Sequence, residues 1–159
     1  MHEQFDVLAA GNQGPVPGEE YEVPLGEADI KREGDDMTIV AIGAMVHRAI
    51  ETAETLADEA NIDCEVVDLR SVVPLDEETV VESARKTGRV IVVGEDYERY
   101  GLTGEIASVV ADRAFDALTA PVKRVGTDIV LIPFSSPLED CVLPSAQDIR
   151  TAVKEISSG

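Results

Sequence analysis

Short β-branched runs alternate with amphipathic helical stripes along most of the chain, and no other feature constrains the fold as tightly. Residues 37–42 (MTIVAI) form an apolar, β-branched run that ends at Gly43 and reads as a buried strand. From 45 to 60, Ala49, Ile50, Ala53, Leu56, Ala57 and Ala60 recur at helical spacing and predict an amphipathic helix. Residues 64–69 read as a second strand. Pro74-Leu75-Asp76 then signals a helix start, with Asp76 as its cap, Val80, Val81 and Ala84 facing inward, and Gly88 as the stop. Residues 89–94 (RVIVVG) are the clearest strand, and a loop over 95–100 leads to a helix over about 101–118 striped by Ile106, Val109, Val110 and Ala114. A short strand at 122–125 follows. Residues 128–140 read as irregular around Pro133 and Pro137, and Pro144-Ser145 opens a last helix with Ile149, Ala152, Val153 and Ile156 on one face. Strands joined by crossover helices require a mostly parallel sheet with helices on both faces and right-handed connections. The predicted fold class is therefore a three-layer α/β domain with about five strands.

A length of 159 residues suits one domain. Residues 1–30 differ from the rest: Gly11, Gly14, Pro15, Pro17, Gly18, Pro24 and Gly26 mark an extended arm, with the domain proper expected over 31–159. Aromatic residues are only 4% of the chain and Trp is absent, so the core must be aliphatic. Thirty-two acids against 13 bases give a net charge of −19. That balance argues against duplex nucleic acid, whose affinity comes from Lys and Arg on phosphates, and against anionic membrane surfaces. The acids are spread along the chain, as in proteins of salt-loaded cytoplasms, where self-repulsion is screened within ~3 Å at 1 M salt. Recruitment of a basic partner is the alternative reading. No apolar run approaches the ~20 residues of a membrane span, and the N-terminus has no basic-then-apolar pattern, so the expected location is the cytoplasm.

Parallel sheets bind ligands at the carboxyl ends of their strands, so the residues after each strand are the candidates for chemistry. After the first strand comes Gly43-Ala44-Met45-Val46-His47, which lacks the spaced glycines of a dinucleotide site, and no P-loop is present. His47 and His2 are the only histidines; Cys64 and Cys141 are far apart with no CxxC, so neither a nucleophile–base pair nor a metal site is indicated. After the second strand, Asp68 and Arg70 lie on one side of the strand end and read as a structural ion pair or cap. The third strand is followed by Glu95, Asp96, Tyr97, Glu98, Arg99, Tyr100 and Gly101, a charged loop whose two tyrosines suit an interface. Glu139 and Asp140 precede the last helix. The candidate interface or docking residues are thus His47, Glu95, Tyr97, Tyr100, Gly101, Glu139 and Asp140. No catalytic, cofactor-binding or metal-binding residue is assigned.

Read in order, several segments resemble the C-terminal domain of the transketolase family. They are residues 23–30 (VPLGEADI), 43–47 (GAMVH), 67–70 (VDLR) with 74–76 (PLD), and 101–106. They continue with 120–125 (APVKRV), 133–135 (PFS), 138–140 (LED) and 143–145 (LPS). Within that family they are similar to the beta subunit of the thiamine-dependent decarboxylating component of 2-oxo acid dehydrogenases, the pyruvate, branched-chain and acetoin group. Gly94 and Tyr97 stand where many relatives carry His and Pro, a pattern nearer the pyruvate and acetoin types. The resemblance implies thiamine diphosphate and Mg²⁺ in the full complex, held by two other domains through a Gly-Asp-Gly motif and an activating Glu. This sequence carries neither, and Gly34-Asp35-Asp36 is not that motif. No cofactor is therefore expected in this chain, which matches the part of such a subunit beyond its cofactor domain. The implied role is a non-catalytic assembly domain. Its implied partners are cofactor-binding domains or subunits of the same dehydrogenase, the acyltransferase core, and further copies of itself. A free-standing regulatory or small-ligand-binding α/β domain is the alternative, and an independent enzyme fits the sequence least.

Overall fold

A computed structural model describes residues 22–157. The sheet has five strands: β1 (Asp29–Arg32), β2 (Met37–Ala41), β3 (Cys64–Asp68), β4 (Val90–Tyr97) and β5 (Lys123–Thr127), in the order β1-β3-β2-β4-β5. Four are parallel, and β1 is antiparallel on β3. The helices are α1 (Met45–Ala60), α2 (Glu77–Thr87), α3 (Leu102–Ala114), the single turn α4 (Ser136–Glu139) and α5 (Ala146–Ser157).

The two-residue repeat of each strand divides the aliphatic residues between two cores. Met37, Ile39, Ala41, Ile91 and Val93 pack with α1 and α5, whereas Val40, Val90 and Val92 pack with α2 and α3. All five residues of β2 are buried, because this strand is flanked on both edges and covered on both faces. The three-layer expectation holds.

Local details differ from the expectation. β1 straddles position 30 and adds the antiparallel strand; three of its four residues are charged, so its alternation is hard to see in the sequence. β4 runs through Tyr97, absorbing half of the expected loop. α3 ends at Ala114 and tightens into a 3-10 turn over Phe115–Ala117. The segment after β5 contains the turn α4. The expected arm lies outside the described residues up to 21. Among the described residues no helix is long and apolar enough to cross a membrane.

At the amino end of the sheet, Glu65 is buried and its carboxylate accepts from Ser83 Oγ and Lys86 Nζ, both at 2.5 Å. Thr38 Oγ1 joins the same network through Ser83 and Thr87. The buried charge is thus fully engaged, as burial of a carboxylate requires. Hydrogen bonds that the Lys86 ammonium donates to Glu65 and Glu33 hold it well above the ordinary lysine range.

Asp76 caps α2 as expected, accepting from Thr79 N at 3.0 Å, and it also accepts from Ala28 N at 2.9 Å. Burial opposes its ionisation, but these backbone donors outweigh it and hold the carboxyl below the ordinary value of 3.8. Asp76→Ala is expected to lower unfolding free energy by about 1–2 kcal/mol near neutral pH. A carboxylate with a depressed folded-state pKa stabilises at pH above its unfolded value, and that contribution disappears as pH falls through the folded one. Urea titrations should therefore show the gap between variant and wild type closing below pH 3.8. A gap that persists at lower pH would rule out this electrostatic cap.

Candidate functional site

The chain leaves β2 in one direction toward β3 and later returns to the opposite side for β4. The carboxyl ends of β2 and β4 therefore flank the point where the strand order reverses, the usual crevice of such sheets. Gly43 sits there with φ +62°. A Cβ on Gly43 would lie 3.9 Å from Glu95 Oε2. Glu95 is buried in β4 rather than exposed in a loop, because the strand extends past it. This corrects the expectation of a loop beginning at Glu95.

The end of β4 folds around Asp96. A Cβ on Gly94 would stand 2.2 Å from Asp96 Oδ1, and one on Gly101 2.0 Å from Asp96 Oδ2. Only glycine admits the carboxylate at both places, and from there Asp96 accepts from Thr103 N at 3.4 Å at the start of α3. Tyr97 is half-exposed, and its hydroxyl donates to the Val130 carbonyl at 3.1 Å. Tyr100, at φ +67°, is 94% exposed. His47 is exposed in the first turn of α1. Glu139 closes α4, half-buried, and Asp140 is exposed beyond it. All seven candidates thus lie at the carboxyl end of the sheet. Among the described residues no hydrogen bond joins His47, Glu139 or Asp140 to the tyrosines. Asp68 accepts from Arg70 N at 3.0 Å, whereas the Arg70 guanidinium pairs with Asp29 of β1.

The sequence reading missed the apolar side chains that surround these residues. Val72 and Val73 after β3, and Ile129, Val130, Leu131, Ile132, Phe134 and Leu138 after β5, are exposed, Leu131 by 92% and Phe134 by 96%. Val23 and Leu25 join them, because Gly26 packs on Pro74 and its N–H donates to Ser71 Oγ at 2.9 Å. Among the described residues, only Ile30 and Phe115 of the exposed large apolar side chains lie away from this rim. The signal was the IVLI run inside a segment that reads as irregular. Exposed apolar runs of this kind mark interaction surfaces.

Among the described residues no three His, Cys, Asp or Glu side chains converge as metal donors. Gly34 is packed against the start of β3, and Asp36 Oδ2 accepts from Asp63 N at 2.7 Å, so this acidic turn is engaged structurally. Cys64 is buried, which pushes its thiol up to about 11 and makes it a poor nucleophile.

Residues 26–149 match the family model described as the transketolase C-terminal domain. The beta subunit of the acetoin:2,6-dichlorophenolindophenol oxidoreductase of Cupriavidus necator is 46% identical over 149 residues, covering 94% of this chain and 44% of that protein. The pyruvate dehydrogenase E1 component subunit beta of Bacillus subtilis is 43% identical over 141 residues, covering 89% and 43%. A split-gene transketolase solved as an inactive beta4 tetramer superposes with a TM-score of 0.72 at 34% identity, covering 87% of this chain and 44% of that one. The chain thus spans less than half the length of these relatives.

Proposed function

Because the chain belongs to the transketolase C-terminal domain family, we propose that it is the assembly and docking domain of a pyruvate dehydrogenase-like 2-oxo acid dehydrogenase beta subunit. It performs no chemistry by itself. It supports a thiamine diphosphate- and Mg²⁺-dependent oxidative decarboxylation whose cofactor is bound outside this domain. The observation that carries the reading is the set of exposed apolar side chains in the connections that follow β3, β4 and β5 at the carboxyl end of the sheet, among them Val72, Val73, Tyr100, Leu131 and Phe134. A lone soluble domain rarely leaves so many large apolar groups in water, and their burial against a partner is the favourable term in association.

The beta-subunit relatives support a partner within the same dehydrogenase: a cofactor-binding domain or subunit, and beyond it the acyltransferase core. The beta4 tetramer of the split-gene transketolase supports self-association as well. The 32 acidic residues fit a salt-loaded cytoplasm. The test is capture of partners by the tagged chain from its own cell's lysate in molar KCl, read by mass spectrometry. Recovery of a thiamine-binding subunit together with an acyltransferase is expected. Recovery of the chain alone would overturn the assembly role.

A further inference from the structure

We propose that Tyr100 is the aromatic anchor of the docking face and inserts into an apolar socket on the cofactor-binding subunit of the proposed dehydrogenase. The inference rests on the assembly reading and adds to it the residue that grips the partner. Among the described residues three that are not glycine have positive φ: Asn61, Arg70 and Tyr100. Such a backbone is unfavourable for a residue with a Cβ and persists only where its surroundings impose it. Two of the three do work inside the fold. Asn61 closes α1 with its N–H on the Leu56 carbonyl, and the Arg70 guanidinium pairs with Asp29. Tyr100 does none: it is 94% exposed, and its hydroxyl makes no hydrogen bond among the described residues. Glycine would take the same φ of +67° without strain, so the tyrosine side chain brings the isolated domain nothing.

The turn that carries Tyr100 is a rigid mount. A Cβ on Gly101 would meet the Tyr97 carbonyl at 2.1 Å as well as Asp96, so the chain doubles back tightly on either side of Tyr100. Glu98 is fixed at both backbone groups: its N–H donates to the Thr127 carbonyl at 2.9 Å, and its carbonyl accepts from Arg124 Nη1 at 2.7 Å. On the far side Gly104 N donates to the Gly101 carbonyl at 3.1 Å as α3 begins. Tyr100 is thus held between two anchored points while its side chain meets only solvent. An aromatic side chain presented on a preorganised turn loses little freedom when a partner buries it, which is the profile of an interface hot spot.

The setting selects the occupant. Tyr100 stands in the β4–α3 connection, at the same end of the sheet as the exposed apolar side chains that follow β3 and β5. A concave apolar surface buries its ring, and that burial is the favourable term. The chain carries a net charge of −19, so a socket with basic groups around its mouth complements this face, whereas a second copy of the chain repels it. In the assembly reading the cofactor-binding part lies outside this chain, which makes it the partner that must meet the carboxyl end of the sheet.

The test compares Tyr100→Gly, Tyr100→Ala and Tyr100→Phe in the full chain by two readouts. One is thermal melting of the chain alone; the other is surface plasmon resonance against the thiamine diphosphate-binding subunit recovered with the wild-type chain. Tyr100→Gly and Tyr100→Ala are both expected to weaken association at least about 30-fold. Tyr100→Ala keeps the strain and should melt with the wild type, whereas Tyr100→Gly relieves it and should melt about 2–4 °C higher. Tyr100→Phe keeps the ring and should lose less than about tenfold in affinity. Phe115→Ala is the control, since Phe115 is 77% exposed but lies away from the rim, and it should bind as the wild type does. Undiminished association of Tyr100→Gly, or a Tm no higher than that of Tyr100→Ala, would overturn the anchor and leave the assembly reading standing. A wild-type chain that binds no such subunit would overturn both. Loss of self-association alone in Tyr100→Gly, read by analytical ultracentrifugation, would make the occupant a second copy and overturn the socket proposed here.

Discussion

The double substitution Leu131→Asp, Phe134→Asp is expected to weaken association with the captured partner at least about 100-fold while leaving the isolated domain as stable as before. The two side chains are 92% and 96% exposed, so neither contributes to the core. Surface replacements of this kind usually change folding by no more than about 0.5 kcal/mol. At a partner interface the effect is different. Large apolar side chains at the centre of an interface typically cost 2 kcal/mol or more on truncation, and a carboxylate forced into the same dry contact adds a desolvation penalty. Affinity by surface plasmon resonance or retention in the pull-down measures the first effect, and thermal melting measures the second. Undiminished association would remove the rim after β5 from the interface. A collapsed melting temperature would mean that these residues pack inside the domain.

Gly34→Ala is expected to act on the fold alone, lowering stability by about 3 kcal/mol or more, the upper range for overpacking. A Cβ at this position would stand 2.3 Å from the Cys64 carbonyl carbon, 2.4 Å from Glu65 N and 2.7 Å from Asp63 O. Every obstructing atom is backbone, so no side chain can turn aside. The start of β3 is itself fixed on β2 by the Met37–Cys64 register, by Asp36 N donating to Asp63 O at 2.9 Å, and by Asp63 N donating to Asp36 Oδ2 at 2.7 Å. For a domain of this size the loss corresponds to a fall in Tm of about 10 °C. A change under about 2 °C would mean that the turn before β2 does not approach β3 this closely.

Residues 37–41 and 90–93 are legible because a strand buried on both faces must be apolar without interruption, and the helical stripe from Ala49 to Leu56 is legible because only one face of α1 meets the core. Asp76 and Gly88 are legible as the ends of α2 because capping is local chemistry. Glu95 was misplaced because nothing within a few residues of it signals that β4 continues; the neighbouring strand and the β2–α1 turn bury it. The run at 129–132 is illegible for a different reason: four consecutive apolar residues carry no strand or helix period, and only the packed layers show that no element buries them.

The sequence by itself determined the alternation of strands and helices, the two-faced aliphatic core and the family likeness, because each rests on periodicity or short motifs carried along the chain. Tertiary structure alone decided that β1 pairs antiparallel on β3, that Gly34 and Gly126 lie against other backbone, and that Tyr100 stands exposed on a strained turn. It also decided that the apolar connections gather at one end of the sheet. Those facts depend on contacts between residues tens of positions apart, and such contacts are set by how the layers pack, not by any local preference of the chain.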